Sequence, residues 1–246
     1  EVVAVQDTRA WTARDRGLPA VDPVVGMLPP KLARIMVNLA EPARSAALSK
    51  RSESNGLNES IKSTPSISSG QQAARLLDPF CGSGQIPIEA LRVGWNVAAS
   101  DFDPKSIERT KRNLLWAQER SPDAAKQEWT VFESDIAAVP AHLLAGSIDA
   151  IVTEPDLGPP LRATSATPPD AVLDRVTATI RTALRVSRTL LRSGGRLVIV
   201  IPIIAGQRIA DRLDEPVFSG YCHAATLHYA RPDSRVEREL FVFDRE

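Results

Sequence analysis

Three aspartates, Asp78, Asp101 and Asp135, each end or follow a short apolar run, at intervals that would gather them beside one glycine-rich turn. The turn is Asp78-Pro79-Phe80-Cys81-Gly82-Ser83-Gly84, in which Gly82 and Gly84 let the backbone bend sharply and approach a ligand closely. Between a strand and a helix, such a loop lies at the carboxyl edge of a doubly wound sheet, where ligands bind. Asp101, seventeen residues beyond Gly84, is placed to accept both hydroxyls of a ribose. Asp103 precedes Pro104 and suits a helix N-cap instead. Asp135, with Ile136 beside it, suits an adenine amino group. A further run ends in Thr153-Glu154-Pro155-Asp156, oxygen-bearing side chains around a proline at the same edge.

The elements that must position these residues alternate along the chain. Strands are predicted at Arg75–Phe80, Asn96–Asp101, Trp129–Glu133, Ile148–Thr153, Arg196–Ile201, Cys222–Tyr229 and Glu237–Phe243. Between them, helical patterns cover Ile86–Val93, Pro104–Glu119 and Pro169–Leu191, with a short turn near Pro140–Leu144. The longest helix has Val172, Val176, Ile180, Leu184 and Leu191 on one face, and Gly194-Gly195 reads as its stop. Alternation of this kind predicts an α/β, Rossmann-like, doubly wound and mostly parallel seven-stranded sheet. The last two strands have only the polar turn Arg231–Ser234 between them, which predicts a C-terminal antiparallel hairpin. Upstream, residues 1–43 hold Pro-rich turns and one helix, whose Leu32, Ile35, Met36 and Leu39 share a face. Residues 44–74 contain nine serines and no aromatic, the composition of a flexible insertion, and residues 75–246 form the ligand-binding domain.

Composition sets bounds on function. The 246 residues are 43% hydrophobic, with 30 basic and 30 acidic side chains, so no chain-wide charge marks a nucleic-acid surface. The longest apolar run, Leu197–Ala205, is interrupted by Pro202 and is too short for a bilayer span. Two cysteines cannot build a disulfide framework, which favours a cytoplasmic setting. His142, His223 and His228 have no metal-ligand spacing. The arginines Arg181, Arg185, Arg188 and Arg192 read as a solvated helix face. The first residue is Glu1, which fits a piece of a longer protein.

The loop Asp78–Gly84 resembles the S-adenosylmethionine loop of class I methyltransferases that modify nucleic-acid amino groups. A pyrophosphate site needs different glycine spacing and an open helix N-terminus; S-adenosyl-L-methionine has no phosphate, so Asp78 can face it. The resemblance implies cofactor contacts from Asp78, Phe80, Gly82, Ser83, Gly84, Asp101, Phe102, Asp135 and Ile136. Ile148–Pro160 is similar to the amino-methyltransferase motif Asp/Asn/Ser-Pro-Pro-Tyr/Phe, which implies a catalytic segment Thr153, Glu154, Pro155 and Asp156. Aligned on the last proline, Thr153 takes the acidic position and Asp156 the aromatic one. Aligned on the carboxylate, Glu154 takes the acidic role and one proline is missing. Glu154 is the preferred acceptor of amine protons, and Asp156 supplies no ring to stack on a base.

With Gly26-Met27-Leu28-Pro29-Pro30-Lys31 through Ala40, and Trp11-x-x-Arg14-Asp15-x-Gly17-x-Pro19, the chain resembles the THUMP-associated tRNA guanine-N2 methyltransferases. The resemblance covers about residues 7–43 and 76–243. It implies methylation of the exocyclic amine of guanine in tRNA or another structured RNA, an N-terminal helix beside the cofactor pocket, and an upstream THUMP domain or partner subunit. It implies no membrane and no metal. Two other readings stay open: a DNA or protein amide N-methyltransferase, and a non-catalytic cofactor-binding partner, the last because of Asp156. Amine methylation needs no protein nucleophile, so Cys81 carries little weight as one.

Overall fold

A computed structural model describes residues 8–21, 27–41, 74–158, 170–230 and 236–246. The serine-rich insertion up to residue 73, the turn Arg231–Ser234 and Pro159-Pro160 lie outside the described residues. Two helices, α1 (Thr8–Arg16) and α2 (Pro30–Leu39), precede the sheet. The strands are β1 (Arg75–Asp78), β2 (Asn96–Asp101), β3 (Trp129–Glu133), β4 (Ile148–Thr153), β5 (Leu191–Ile204), the two-residue β6 (Gln207–Arg208), β7 (Tyr221–Tyr229) and β8 (Val236–Arg245). Among them run α3 (Gln85–Leu91), α4 (Pro104–Arg120), the single turn α5 (Pro122–Ala125) and α6 (Asp170–Leu190).

The strand order is β3-β2-β1-β4-β5-β8-β7, with β6 paired to β5 off that path. The pairs among β1 to β5 are parallel; β8 runs antiparallel to both β5 and β7, which places it between them. The predicted sheet and terminal hairpin are therefore present, with β6 as an addition. Period-two alternation sorts the strand residues into two cores. Leu76, Val97, Ala99, Ala150, Val152, Val198 and Val200 pack with α2, α3 and α4 on one side. Leu77, Ala98, Ile151, Leu197, Ile199 and Ile201 pack with Leu173, Val176, Ile180 and Leu184 of α6 on the other.

Three sequence readings need correction. First, β1 ends at Asp78, because Pro79 has no N–H to continue the ladder. Second, Gly194-Gly195 is not a helix stop: α6 ends at Leu190, β5 begins at Leu191, and the glycines lie inside the strand opposite a register shift in β4. A Cβ at Gly195 would lie 2.9 Å from the Arg192 carbonyl oxygen and 3.0 Å from that of Asp149, so close backbone approach explains the glycine. Third, α2 buries Leu32, Ala33, Met36 and Val37, while Ile35 remains 46% exposed. The arginines read as one helix face are locally engaged: on α6 Arg181 pairs with Asp214 and Arg188 donates to the Ser219 carbonyl, while Arg192, in β5, pairs with Asp149.

Candidate active site

The carboxyl ends of β1, β2 and β4 meet around the glycine loop. Asp78 is 1% exposed and accepts hydrogen bonds at Oδ1 from the Thr153 hydroxyl (2.8 Å) and the Phe80 N–H (3.2 Å). Burial pushes its carboxyl up to about 7 against those two bonds, and the nearby charges of Asp101 and Glu154 push the same way. Asp101 accepts the Gly82 N–H at Oδ2 (2.9 Å) and the Asp103 N–H at Oδ1 (3.0 Å), and burial raises its pKa as well. A carboxylate has about four lone-pair positions, so each oxygen of Asp101 retains one for a ligand hydroxyl. Asp103 is the N-cap of α4, accepting from the backbone of Lys105 and Ser106, as predicted.

The loop is braced from the side. The Cys81 N–H donates to the Ser100 carbonyl (2.9 Å). On α4, the Thr110 hydroxyl donates to the Gly82 carbonyl (3.0 Å) and Asn113 Nδ2 to the Ser83 carbonyl (2.8 Å). Gly84 has φ 83° and a Cβ there would lie 3.2 Å from the Thr110 side chain; Gly82 has φ 52° with open space where its Cβ would stand. Around the loop, the residues missed in the sequence are thus Thr110 and Asn113. Their signal was visible: polar side chains three apart on the stripe of α4 that also buries Ile107 and Leu114.

Asn113 also clasps the upstream segment, accepting the Ala20 N–H (3.0 Å) and donating to the Ala20 carbonyl (2.6 Å). Beside it, Gln85 of α3 donates to the Arg14 carbonyl (3.2 Å). Glu89, fully buried on α3, receives Arg34 of α2 at 2.7 Å and the charge of Arg14 of α1 at 2.6 Å, the latter without an aligned hydrogen bond. The N-terminal helices therefore pack beside the glycine loop.

At the end of β4 the two motif alignments part. Thr153 is fully buried and committed to Asp78, whereas Glu154 sits at the edge, 14% exposed, with its Oε1 taking Arg238 Nε of β8 at 2.6 Å. The carboxylate alignment fits this arrangement. Pro155 is buried. Asp156 is exposed and occupied in fixing its own loop: Oδ1 accepts the Gly158 N–H (2.9 Å) and Oδ2 accepts Arg175 of α6 (2.7 Å). Phe102 is 70% exposed beside Asp101, and Phe80 packs against the α6-side core. The predicted pair Asp135 and Ile136 follows β3 at the same carboxyl edge, Asp135 exposed and Ile136 with its side chain buried. Asp135 caps a 3-10 turn through the Ala137 N–H, and Ile136 is buried in the α6-side core. The residue joined to Asp101 is Ser134, whose N–H donates to the Asp101 carbonyl (2.9 Å). The Cys81 thiol is buried and its pKa raised by that burial, so it stays protonated and inert. Among the described residues no group of three or more metal-ligand side chains converges, and no helix is long and apolar enough to cross a membrane.

A sheet in which an antiparallel last strand inserts beside β5, with a glycine loop after β1 and an acidic end to β2, defines a Rossmann-like methyltransferase domain. The chain belongs to the UPF0020 family, the RMKL-like methyltransferase domain, whose model matches residues 56–202. It is 32% identical over 136 residues to the tRNA (guanine(10)-N2)-dimethyltransferase of Methanothermobacter thermautotrophicus, covering 54% of this chain and 28% of that protein. TrmN from Thermus thermophilus superimposes with a TM-score of 0.58 at 19% identity, over 90% of this chain and 50% of that one. A geranyl diphosphate methyltransferase solved with its diphosphate substrate and sinefungin gives 0.52 at 13% identity, over 89% of this chain and 78% of that one. The two structural likenesses establish the fold. This chain thus spans about half of TrmN, and its alignment reaches just over a quarter of the curated relative.

The cofactor of this class is S-adenosyl-L-methionine, and the site fits it. Asp78, Asp101 and Glu154 form an acidic cluster suited to a cation, and Asp101 keeps acceptor positions for a ribose. Binding a cation favours ionised Asp78, so affinity for the cofactor should rise several-fold between about pH 6 and about pH 8 and then level off. Calorimetric titration across that range checks it; a flat profile would show that Asp78 is not beside the cation.

Proposed function

We propose that the chain methylates the exocyclic N2 amine of a guanine in tRNA. The observation that carries this reading is Glu154, a carboxylate held at the sheet edge by Arg238, on the residue after Thr153, which itself bonds Asp78. When bound, S-adenosyl-L-methionine supplies an already activated methyl group, so the protein's task is positioning. Asp78 and Asp101 hold the donor's charged and ribose portions. Glu154 accepts a hydrogen bond from the amine, which orients the nitrogen lone pair and stabilises the positive charge that develops on the nitrogen. Arg238 limits the rotamers of Glu154 through a charge-assisted hydrogen bond. The name of the Methanothermobacter relative supports guanine N2 as the acceptor and tRNA as its carrier.

Arg238→Ala should lower the rate of methyl transfer about tenfold or more, equal to about 1.4 kcal/mol of lost transition-state stabilisation. Adenosylhomocysteine affinity should stay within about twofold, because Arg238 touches Glu154 rather than Asp101. Arg238→Lys should recover part of the rate. Transfer of tritiated methyl groups to unmodified tRNA tests both the rate and the reading; RNA left unlabelled by the unaltered chain would overturn the reading.

A further inference from the structure

A groove of about 440 Å³ opens between α1, α2 and the end of β7, away from the acidic cluster. Its walls include Trp11, Pro30, Ile35 and Tyr229. Ile35 is the α2 residue that the helical pattern would bury and that the fold leaves 46% exposed, so the groove presents apolar surface that the chain itself does not cover among the described residues. Arg14 lies 4.1 Å from the centroid of the Trp11 ring and Lys31 Nζ lies 6.0 Å from it. The charged side chains of the lining are the exposed Lys31 and one carboxylate, Asp15, whose charge Arg16 approaches at 4.0 Å. Two rings, an apolar floor and an exposed ammonium, Lys31, make a surface for a planar heterocycle attached to an anion.

Its position links it to the amine site. Tyr229 is the direct cross-strand partner of Arg238, and Arg238 holds Glu154. Glu154 follows β4 and Tyr229 lies on β7, three inter-strand spacings of about 4.8 Å apart in the order β4-β5-β8-β7, so the groove lies roughly 14 Å from the residue that receives the amine, within reach of one RNA strand. Asp156, meanwhile, is tied to Arg175 and Gly158 and offers no ring at the site itself.

Resting on the function proposed above, we propose that this groove seats an unpaired RNA nucleobase near the target guanine, stacked on Trp11 or Tyr229, with Lys31 against its phosphate. The chemistry it selects is a single-stranded nucleotide, because a paired base would not expose its face to the two rings.

The test uses the whole chain, an unmodified tRNA transcript at fixed salt, and the same transcript carrying 4-thiouridine for photocrosslinking. Trp11→Ala should weaken tRNA binding about tenfold, the size expected for one lost stacked base. Trp11→Phe should weaken it about twofold or less. Lys31→Glu, a change on an exposed side chain, should weaken it severalfold and flatten its salt dependence. Adenosylhomocysteine affinity, measured on each variant, should not change and certifies the fold. Crosslinked peptides should contain Trp11 or Tyr229. If the unaltered chain binds tRNA while Trp11→Ala and Lys31→Glu both bind it within about twofold, the groove assignment is overturned and the function stands. If the unaltered chain binds no tRNA, both are overturned.

Discussion

Alanine at Asp101 is expected to lower adenosylhomocysteine affinity by about ten- to a hundredfold. Two effects combine. A carboxylate that accepts ligand hydroxyls contributes about 1.5–3 kcal/mol, which is one to two decades in affinity. The same carboxylate also accepts the N–H groups of Gly82 and Asp103, so its removal leaves two backbone donors without their partner and loosens the glycine loop. Thr110 and Asn113 still hold the loop carbonyls from α4, which limits the damage to local geometry. The melting temperature should therefore move only a few degrees while affinity falls steeply. Calorimetry decides it: an affinity unchanged in Asp101→Ala would remove this residue from the site.

The second large effect concerns stability. Glu89→Ala should cost about 3–5 kcal/mol, because it leaves the guanidinium of buried Arg14 and that of Arg34 without the carboxylate between them. The effect should reach function as well. Arg14 and Arg34 tie α1 and α2 to α3, the helix that follows Gly84, so loosening them frees the N-terminal helices from the cofactor loop. Chemical denaturation measures the loss. A cost below about 1 kcal/mol would mean that the packing of Leu32, Met36 and Val37 alone holds these helices.

How much of this was legible in the sequence differs by residue type. Backbone-driven features read correctly: the glycine loop, the Asp103 cap and the alternation that yields parallel strands each follow from local chemistry. The place of Asp101 beside the glycine loop was also legible, because a carboxylate at the end of β2 has few other places to point. What was not legible depended on tertiary partners. The Asp135 carboxylate caps a 3-10 turn and the Ile136 side chain enters the core, contacts that a strand-end pattern does not announce. Ile35 has helical spacing with Leu32 and Leu39, but α1 and Tyr229 stand beside it around an open groove. Gly194-Gly195 follows a helix as a stop would; only the carbonyls of Asp149 and Arg192, one of them 46 residues away in sequence, reveal the close approach that requires glycine. Arg238 could not be found at all from motifs, since its partner Glu154 lies 84 residues upstream.

The central claim is that this site delivers methyl groups to the amine of guanine. Incubating the chain with tritiated S-adenosyl-L-methionine and unmodified tRNA, then digesting the RNA to nucleosides, tests it most directly. Label is expected in N2-methylguanosine or its dimethylated form, and should be lost in Glu154→Gln with adenosylhomocysteine binding intact. Label in a methylated adenosine, or undiminished labelling by Glu154→Gln, would contradict it.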